Sequence, residues 1–197
     1  MPVLFVCTGN LCRSPLAEGL LRAWAGTADL TVASAGVEAR DGVPMDPPSA
    51  EALRELGGDP TPFRSHRLTA ADSVRADLVL TMNRWHRRQV LERDPRALRK
   101  AFTLGEAARL LPLADLTGLG LLPVPERAGE LAARLHTARA RRADSGADDV
   151  ADPIGRPLAQ HRAMGAQVAA LLRPLADVLL AAPRTPPIPH RPVVSGS

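Results

Sequence analysis

The first residues set a pattern that the rest of the chain repeats. Val3 to Cys7 is an uninterrupted apolar run with β-branched and aromatic side chains, which predicts a short strand buried on both faces. The polar segment Thr8-Gly9-Asn10 ends it. Ser14-Pro15 then opens a stretch in which Leu16, Leu20, Leu21 and Trp24 keep helical spacing, with Ser14 placed to cap and Pro15 suited to the first helical position. The alternation continues with a strand at Leu30 to Ser34, a helix at Pro48 to Leu56 ended by Gly57-Gly58, and a strand at Ala76 to Met82. A helix at Asn83 to Leu91, a short strand at Lys100 to Leu104 and a helix at Gly105 to Leu111 follow. Pro157 to Ala181 reads as a long amphipathic helix with Leu158, Val168, Leu171, Leu172, Leu175 and Leu179 on or near one face. Strands alternating with helices predict an α/β fold, a parallel twisted sheet with helices on both faces.

Two segments depart from this rhythm. Residues 112–149 carry proline, glycine and a polar arginine-rich stretch, and read as an insertion with one helix near Ala128 to Ala138 and a mobile distal part. Residues 183–197 contain prolines 183, 186, 187, 189 and 192 and read as a disordered tail, leaving one domain over 1–182.

Composition narrows the classes. The 197 residues are 45% hydrophobic and 23% charged, which excludes fibrous and wholly disordered chains. The net charge of +4 is almost all arginine, Lys100 being the single lysine, and alone identifies no partner. Arg87-Arg88 and Arg139-Ala140-Arg141-Arg142 lack interleaved aromatics, so a solvated surface is expected there rather than nucleic-acid binding. With only Cys7 and Cys12, neither a disulfide framework nor a four-cysteine zinc site can form, and a reducing cytoplasm is the expected compartment. The N-terminal apolar run is too short for a signal core, and no run approaches the ~18 consecutive apolar residues of a membrane helix.

The chemistry concentrates in Cys7-Thr8-Gly9-Asn10-Leu11-Cys12-Arg13-Ser14: a cysteine at a strand end, five residues, an arginine and a serine opening a helix. Backbone N–H groups of a tight loop at a helix N-terminus converge on a point that stabilises an anion, and phosphate or another tetrahedral oxyanion fits it. Arg13 adds a planar fork for two oxygens. At the base of this loop the Cys7 thiolate would be stabilised by the amides, the dipole, Arg13 and the Ser14 hydroxyl, making it a nucleophile. In-line attack on a bound phosphoryl group would give a cysteinyl-phosphate and expel an oxygen that needs a proton, so a second acid must exist. Cys-x4-Cys with no histidine nearby in sequence supplies too few ligands for zinc, and the Gly-Lys-Ser/Thr ending of a nucleotide loop is missing. Neither metal nor cofactor is therefore expected. The five histidines 66, 86, 136, 161 and 190 have no ligand spacing and receive no catalytic role.

The string Val6 to Pro15, followed by Ala17-Glu18, resembles the low-molecular-weight protein tyrosine phosphatases and their arsenate-reductase relatives. The resemblance continues through Ser34-Ala35-Gly36, Gly42-Val43-Pro44-Met45-Asp46, residues 76–82 and Asp152-Pro153-Ile154-Gly155. It implies a four-stranded parallel sheet, metal-free catalysis and a general acid in a distant Asp-Pro pair. Asp152 matches that position, and the following proline restricts its backbone, which the neighbouring Asp148 and Asp149 lack. The catalytic set expected is thus Cys7, Arg13 and Asp152, with Thr8, Gly9, Asn10, Leu11, Cys12 and Ser14 binding substrate. Gly9 allows close backbone approach and Asn10 tolerates a left-handed conformation. The two loop thiols also imply a protective Cys7–Cys12 disulfide under oxidant.

Substrate choice is less marked. The chain has no tyrosine, and Ile154 stands where many phosphotyrosine enzymes of this family carry an aromatic residue. Trp24 reads as helix core, and Trp85 as packed rather than lining the rim. Leu11 resembles the phosphotyrosine group, since relatives acting on phosphoarginine tend to have threonine there. The expectation is a cysteine-dependent phosphatase acting on a phosphorylated protein, foremost phosphotyrosine, or on a small phosphomonoester. Arsenate reduction with an external small thiol, a metabolite phosphatase and a non-catalytic phosphate-binding module are the alternatives.

Overall fold

The computed structural model describes residues 3–141 and 149–181. Four strands, β1 (Val3–Cys7), β2 (Val32–Gly36), β3 (Leu78–Thr81) and β4 (Ala101–Thr103), form one parallel sheet in the order β2-β1-β3-β4. The helices are α1 (Arg13–Ala25), α2 (Pro47–Glu55), α3 (Ala70–Arg75), α4 (Arg84–Arg93), α5 (Leu104–Leu110), α6 (Val124–Ala138) and α7 (Leu158–Leu180). The expected elements are present with their ends moved by at most four residues; α3 had no periodic signal and is held by Asp72, whose carboxylate accepts the Thr69 N–H at 2.8 Å.

Because side chains alternate along a strand, β1 feeds two cores. Val3, Phe5 and Cys7 point into the larger one with Leu16, Leu20 and Leu21 of α1 and Val168, Leu172 and Leu175 of α7. Leu4 and Val6 point into the smaller one with Val79 and Val90. Helices thus cover both faces, which is why an all-apolar strand is tolerated in the middle of the sheet. By length and hydropathy α7 is apolar enough to cross a membrane, but its Met164, Val168, Leu172, Leu175 and Leu179 face are buried in this core.

The segment read as an insertion contributes to that core. Its helix begins at Val124, four residues before the expected start, and buries Ala128, Leu131, Ala132, Leu135 and Ala138. The Arg127 guanidinium, 1% exposed, donates to the carbonyls of Gly120, Leu122, Leu179 and Ala181 and so ties this segment to the C-terminal end of α7. A buried charge of this kind has no periodicity for sequence to reveal. Of the distal part of 112–149 expected to be mobile, residues 142–148 lie outside the described residues, as does the proline-rich tail 183–197.

Candidate active site

The carboxyl end of β1 is where the chain leaves the sheet between β2 and β3, the position at which open α/β sheets bind ligands. Two backbone bonds anchor the loop to the segment after β2: Val37 N–H donates to Cys7 O and Glu38 N–H to Thr8 O, both at 2.9 Å. Gly36 makes this approach possible, since a Cβ there would lie 2.5 Å from the Thr8 carbonyl oxygen and 2.8 Å from Asn10 N.

Asn10 holds the loop from beneath. It is the one non-glycine residue with positive φ among those described, at 53°, and it is fully buried. Its Nδ2 donates to Ser14 Oγ at 2.9 Å and Ser34 Oγ at 2.8 Å, while its Oδ1 accepts from His66 N at 2.8 Å. With those protons committed, Ser14 Oγ donates to Cys7 Sγ at 2.9 Å, and Asn10 N–H reaches the same sulfur at 3.2 Å. The network ends at Glu18, whose Oε2 accepts from Ser34 Oγ. Burial pushes the Glu18 carboxyl up from its ordinary value, against the lowering effects of Ser34 and Arg22. The expected capping role of Ser14 is corrected: Cys12 is the N-cap of α1, without a side-chain cap bond, and the Ser14 hydroxyl is turned to Cys7.

Above the sulfur, a cavity of about 150 Å³ is lined by Cys7, Thr8, Gly9, Leu11, Cys12, Arg13, Asp152 and Ile154. Of the expected binding residues, Asn10 and Ser14 do not line it; they act on Cys7 from behind. Arg13 is 4% exposed, and its fork donates to Val150 O and Thr8 Oγ1, both at 3.3 Å, and to the Asp152 carboxylate. Asp152 arrives because Val150 N–H donates to Met82 O at 2.8 Å, fixing the segment to the end of β3, and because Gly155 turns the chain back toward α7 at φ 70°. Asp149 instead accepts Arg84 N–H at the start of α4, and Asp148 lies outside the described residues. Burial pushes the Cys12 thiol up to about 12, so it is no rival nucleophile at neutral pH.

Two features escaped the sequence. His86, fully buried, pairs its Nε2 with Thr8 Oγ1 at 2.9 Å, and burial together with the Arg13 charge lowers its pKa to about 3, so it stays neutral. Trp85, expected to pack inside, is 37% exposed and lies edge-on to His86 with ring centroids 5.3 Å apart. Trp24 is partly buried against the core as expected, with Arg173 stacked over its ring. Ile154 is half exposed at the mouth.

A parallel α/β sheet, a cysteine in a phosphate-shaped loop at a helix N-terminus, an arginine fork and a facing aspartate define a cysteine-based phosphoryl-transfer hydrolase. Residues 2–109 match the family model for low molecular weight phosphotyrosine protein phosphatase, and the chain belongs to that family. It is 39% identical over 104 residues to a probable low molecular weight protein-tyrosine-phosphatase, EpsP, of Ralstonia solanacearum, covering 53% of this chain and 70% of the relative. It is 31% identical to a protein-arginine-phosphatase of Geobacillus stearothermophilus over 90% of this chain and 95% of that one. Among solved structures, the YwlE arginine phosphatase, with a phosphorylated serine in place of its active-site cysteine, superposes with a TM-score of 0.67 at 30% identity, covering 91% and 95% of the two chains. A low molecular weight protein tyrosine phosphatase from T. tengcongensis gives 0.66 at 32%, covering 90% and 98%.

Proposed function

We propose that this chain hydrolyses phosphotyrosine on proteins in two steps, with Cys7, Arg13 and Asp152 as catalytic residues. The observation that carries this reading is the Cys7 sulfur at the base of the cavity, with two donors on it and Arg13 and Asp152 facing it. The phosphoryl oxygens take the Arg13 fork and the amides at the start of α1, where charge and shape match a tetrahedral dianion. The Cys7 thiolate attacks phosphorus in line, the bond to the leaving oxygen breaks, and Asp152 in its acid form passes that oxygen a proton. Ionised Asp152 then takes a proton from a water that attacks phosphorus. The sulfur–phosphorus bond breaks toward the thiolate, which Ser14 and Asn10 N–H stabilise. Arg13 touches Asp152 directly, so a bound dianion competes for the guanidinium and leaves the carboxyl for the leaving oxygen. The phosphorylated serine in the YwlE structure supports transfer to the nucleophile position.

Leu11 on the cavity wall supports phosphotyrosine, as do relatives named tyrosine phosphatases. Phosphoarginine is the second reading, favoured by the arginine phosphatase that matches nearly full length. The reducing cytoplasm fits two free cysteines. The test is hydrolysis of an aryl phosphate, a phosphotyrosine peptide and a phosphoarginine peptide by wild type, Cys7→Ser and Asp152→Asn with chelator present. Abolition by Cys7→Ser and a loss of roughly 10²–10⁴ in kcat for Asp152→Asn are expected; Cys7→Ser with undiminished turnover refutes the mechanism. A phosphoarginine preference by kcat/KM overturns the substrate assignment and leaves the mechanism standing.

A further inference from the structure

Beside Cys12, three potential ligand atoms from the N-terminal ends of three different helices converge. Cys12 is the N-cap of α1, Asp46 the N-cap of α2, and His161 lies in the first turn of α7. Cys12 Sγ, an Asp46 carboxylate oxygen and a His161 ring nitrogen lie within 4.8 Å of one another. The supporting backbone is tight, with Asp46 N–H donating to Leu11 O at 3.0 Å.

The hydrogen bonds define what is missing. His161, 1% exposed, sets Nε2 against the carbonyl oxygen of Arg156 at 3.2 Å, which requires a proton on Nε2. With that proton in place Nδ1 accepts the Ser49 hydroxyl proton at 2.7 Å and lies 3.5 Å from Asp46 Oδ2. Asp46 Oδ2 is shielded from solvent and has no hydrogen-bond partner. A shielded carboxylate oxygen thus lies without a donor beside a thiol and an imidazole, and burying it so is costly without a cation.

The geometry points to a divalent metal site formed by Cys12, Asp46 and His161, suited to a thiolate-binding ion such as Zn²⁺. Sulfur, imidazole and carboxylate are zinc's ordinary donors, and the thiolate discriminates against Mg²⁺ and Ca²⁺. Tetrahedral zinc wants its ligand atoms about 3.3–3.8 Å apart, so closing the set takes side-chain shifts of about 1 Å. The Arg156 carbonyl supplies the outer contact that orients a ligating histidine. Binding exchanges the Cys12 thiol proton for the metal, giving a neutral site from one thiolate, one carboxylate and a dication, with one proton released. Because Cys12 also lines the catalytic cavity, that is the side on which water completes the coordination. Spacing along the chain could not show this site, since His161 is far from the cysteines in sequence.

The site does not depend on turnover, so it is tested by binding. The full chain, reduced and stripped of metal, is titrated with Zn²⁺ against a chromophoric chelator and with Co²⁺ for its thiolate charge-transfer band, as wild type, Cys7→Ser, His161→Phe and Asp46→Asn. One equivalent bound with the cobalt band in both wild type and Cys7→Ser, and at least tenfold weaker binding in His161→Phe and Asp46→Asn, is the expected result. Melting curves identify any variant that fails to fold, and Asp46→Asn, nearly isosteric, decides the matter if His161→Phe does. Loss of the band in Cys7→Ser, unchanged affinity in Asp46→Asn, or no stoichiometric binding by wild type overturns the proposal.

Discussion

Replacing Asn10 separates the two things that residue does for the loop. Its side chain makes three hydrogen bonds, buried ones to Ser14 and Ser34 and a part-buried one to His66, and its backbone sits at φ 53°. Each lost bond costs about 1 kcal/mol, and more where the abandoned partner cannot reach water. Holding alanine in the left-handed region costs about 1 kcal/mol beyond that. Asn10→Ala should therefore lose about 4 kcal/mol, a large share of the 5–15 kcal/mol typical of a domain. Asn10→Gly, free of the φ penalty but missing the same bonds, should lose about 3 kcal/mol, its extra chain entropy offsetting part of the relief. Urea unfolding at neutral pH measures both, and aryl phosphate hydrolysis should show kcat/KM falling at least tenfold in each as Ser14 loses its fixed orientation toward Cys7. A loss below about 1 kcal/mol for Asn10→Ala, the range of surface substitutions, would refute the claim that this side chain holds the loop.

Two further outcomes follow from buried polar groups. The folded chain keeps His86 neutral down to about pH 3, whereas the unfolded chain protonates it near 6.5, so stability present above pH 6.5 should fall as pH drops through that window. Unfolding at pH 7 and 4.5 should show His86→Gln losing roughly 2 kcal/mol less than wild type over that interval, and equal losses would sink the assignment. Arg127→Met leaves four carbonyls, that of Leu179 buried, without their donor and should cost about 3 kcal/mol, lowering Tm while KM stays unchanged; a loss under about 1 kcal/mol would show that water replaces the guanidinium.

The nucleophilic loop was legible because it is local. Cys7, Asn10, Arg13 and Ser14 act on one another across a few residues, and a buried strand followed by a helix start constrains how such a segment can fold. Asp152 was legible only through the Asp-Pro pair and its resemblance. The misreadings have separate causes. Ser14 looked like a cap because serine before proline usually is one, but the helix starts two residues earlier and the hydroxyl donates to Cys7 instead. Residues 112–149 looked peripheral because proline and glycine masked the α6 face that buries Leu131 and Leu135.

What the sequence determined alone is the alternation of buried strands and helices and the order of groups in one loop, since both are set by neighbours along the chain. Tertiary structure decided the rest. The sheet order β2-β1-β3-β4 puts the ends of β2 and β3 beside the Cys7 loop, and only then do residues as remote as His86, Val150 and Asp152 meet it. The packing of α7 on α1 and α2 likewise brings His161 to Cys12 and Asp46. Contacts of that kind depend on the registry of packed layers, which leaves no periodic trace in any one segment.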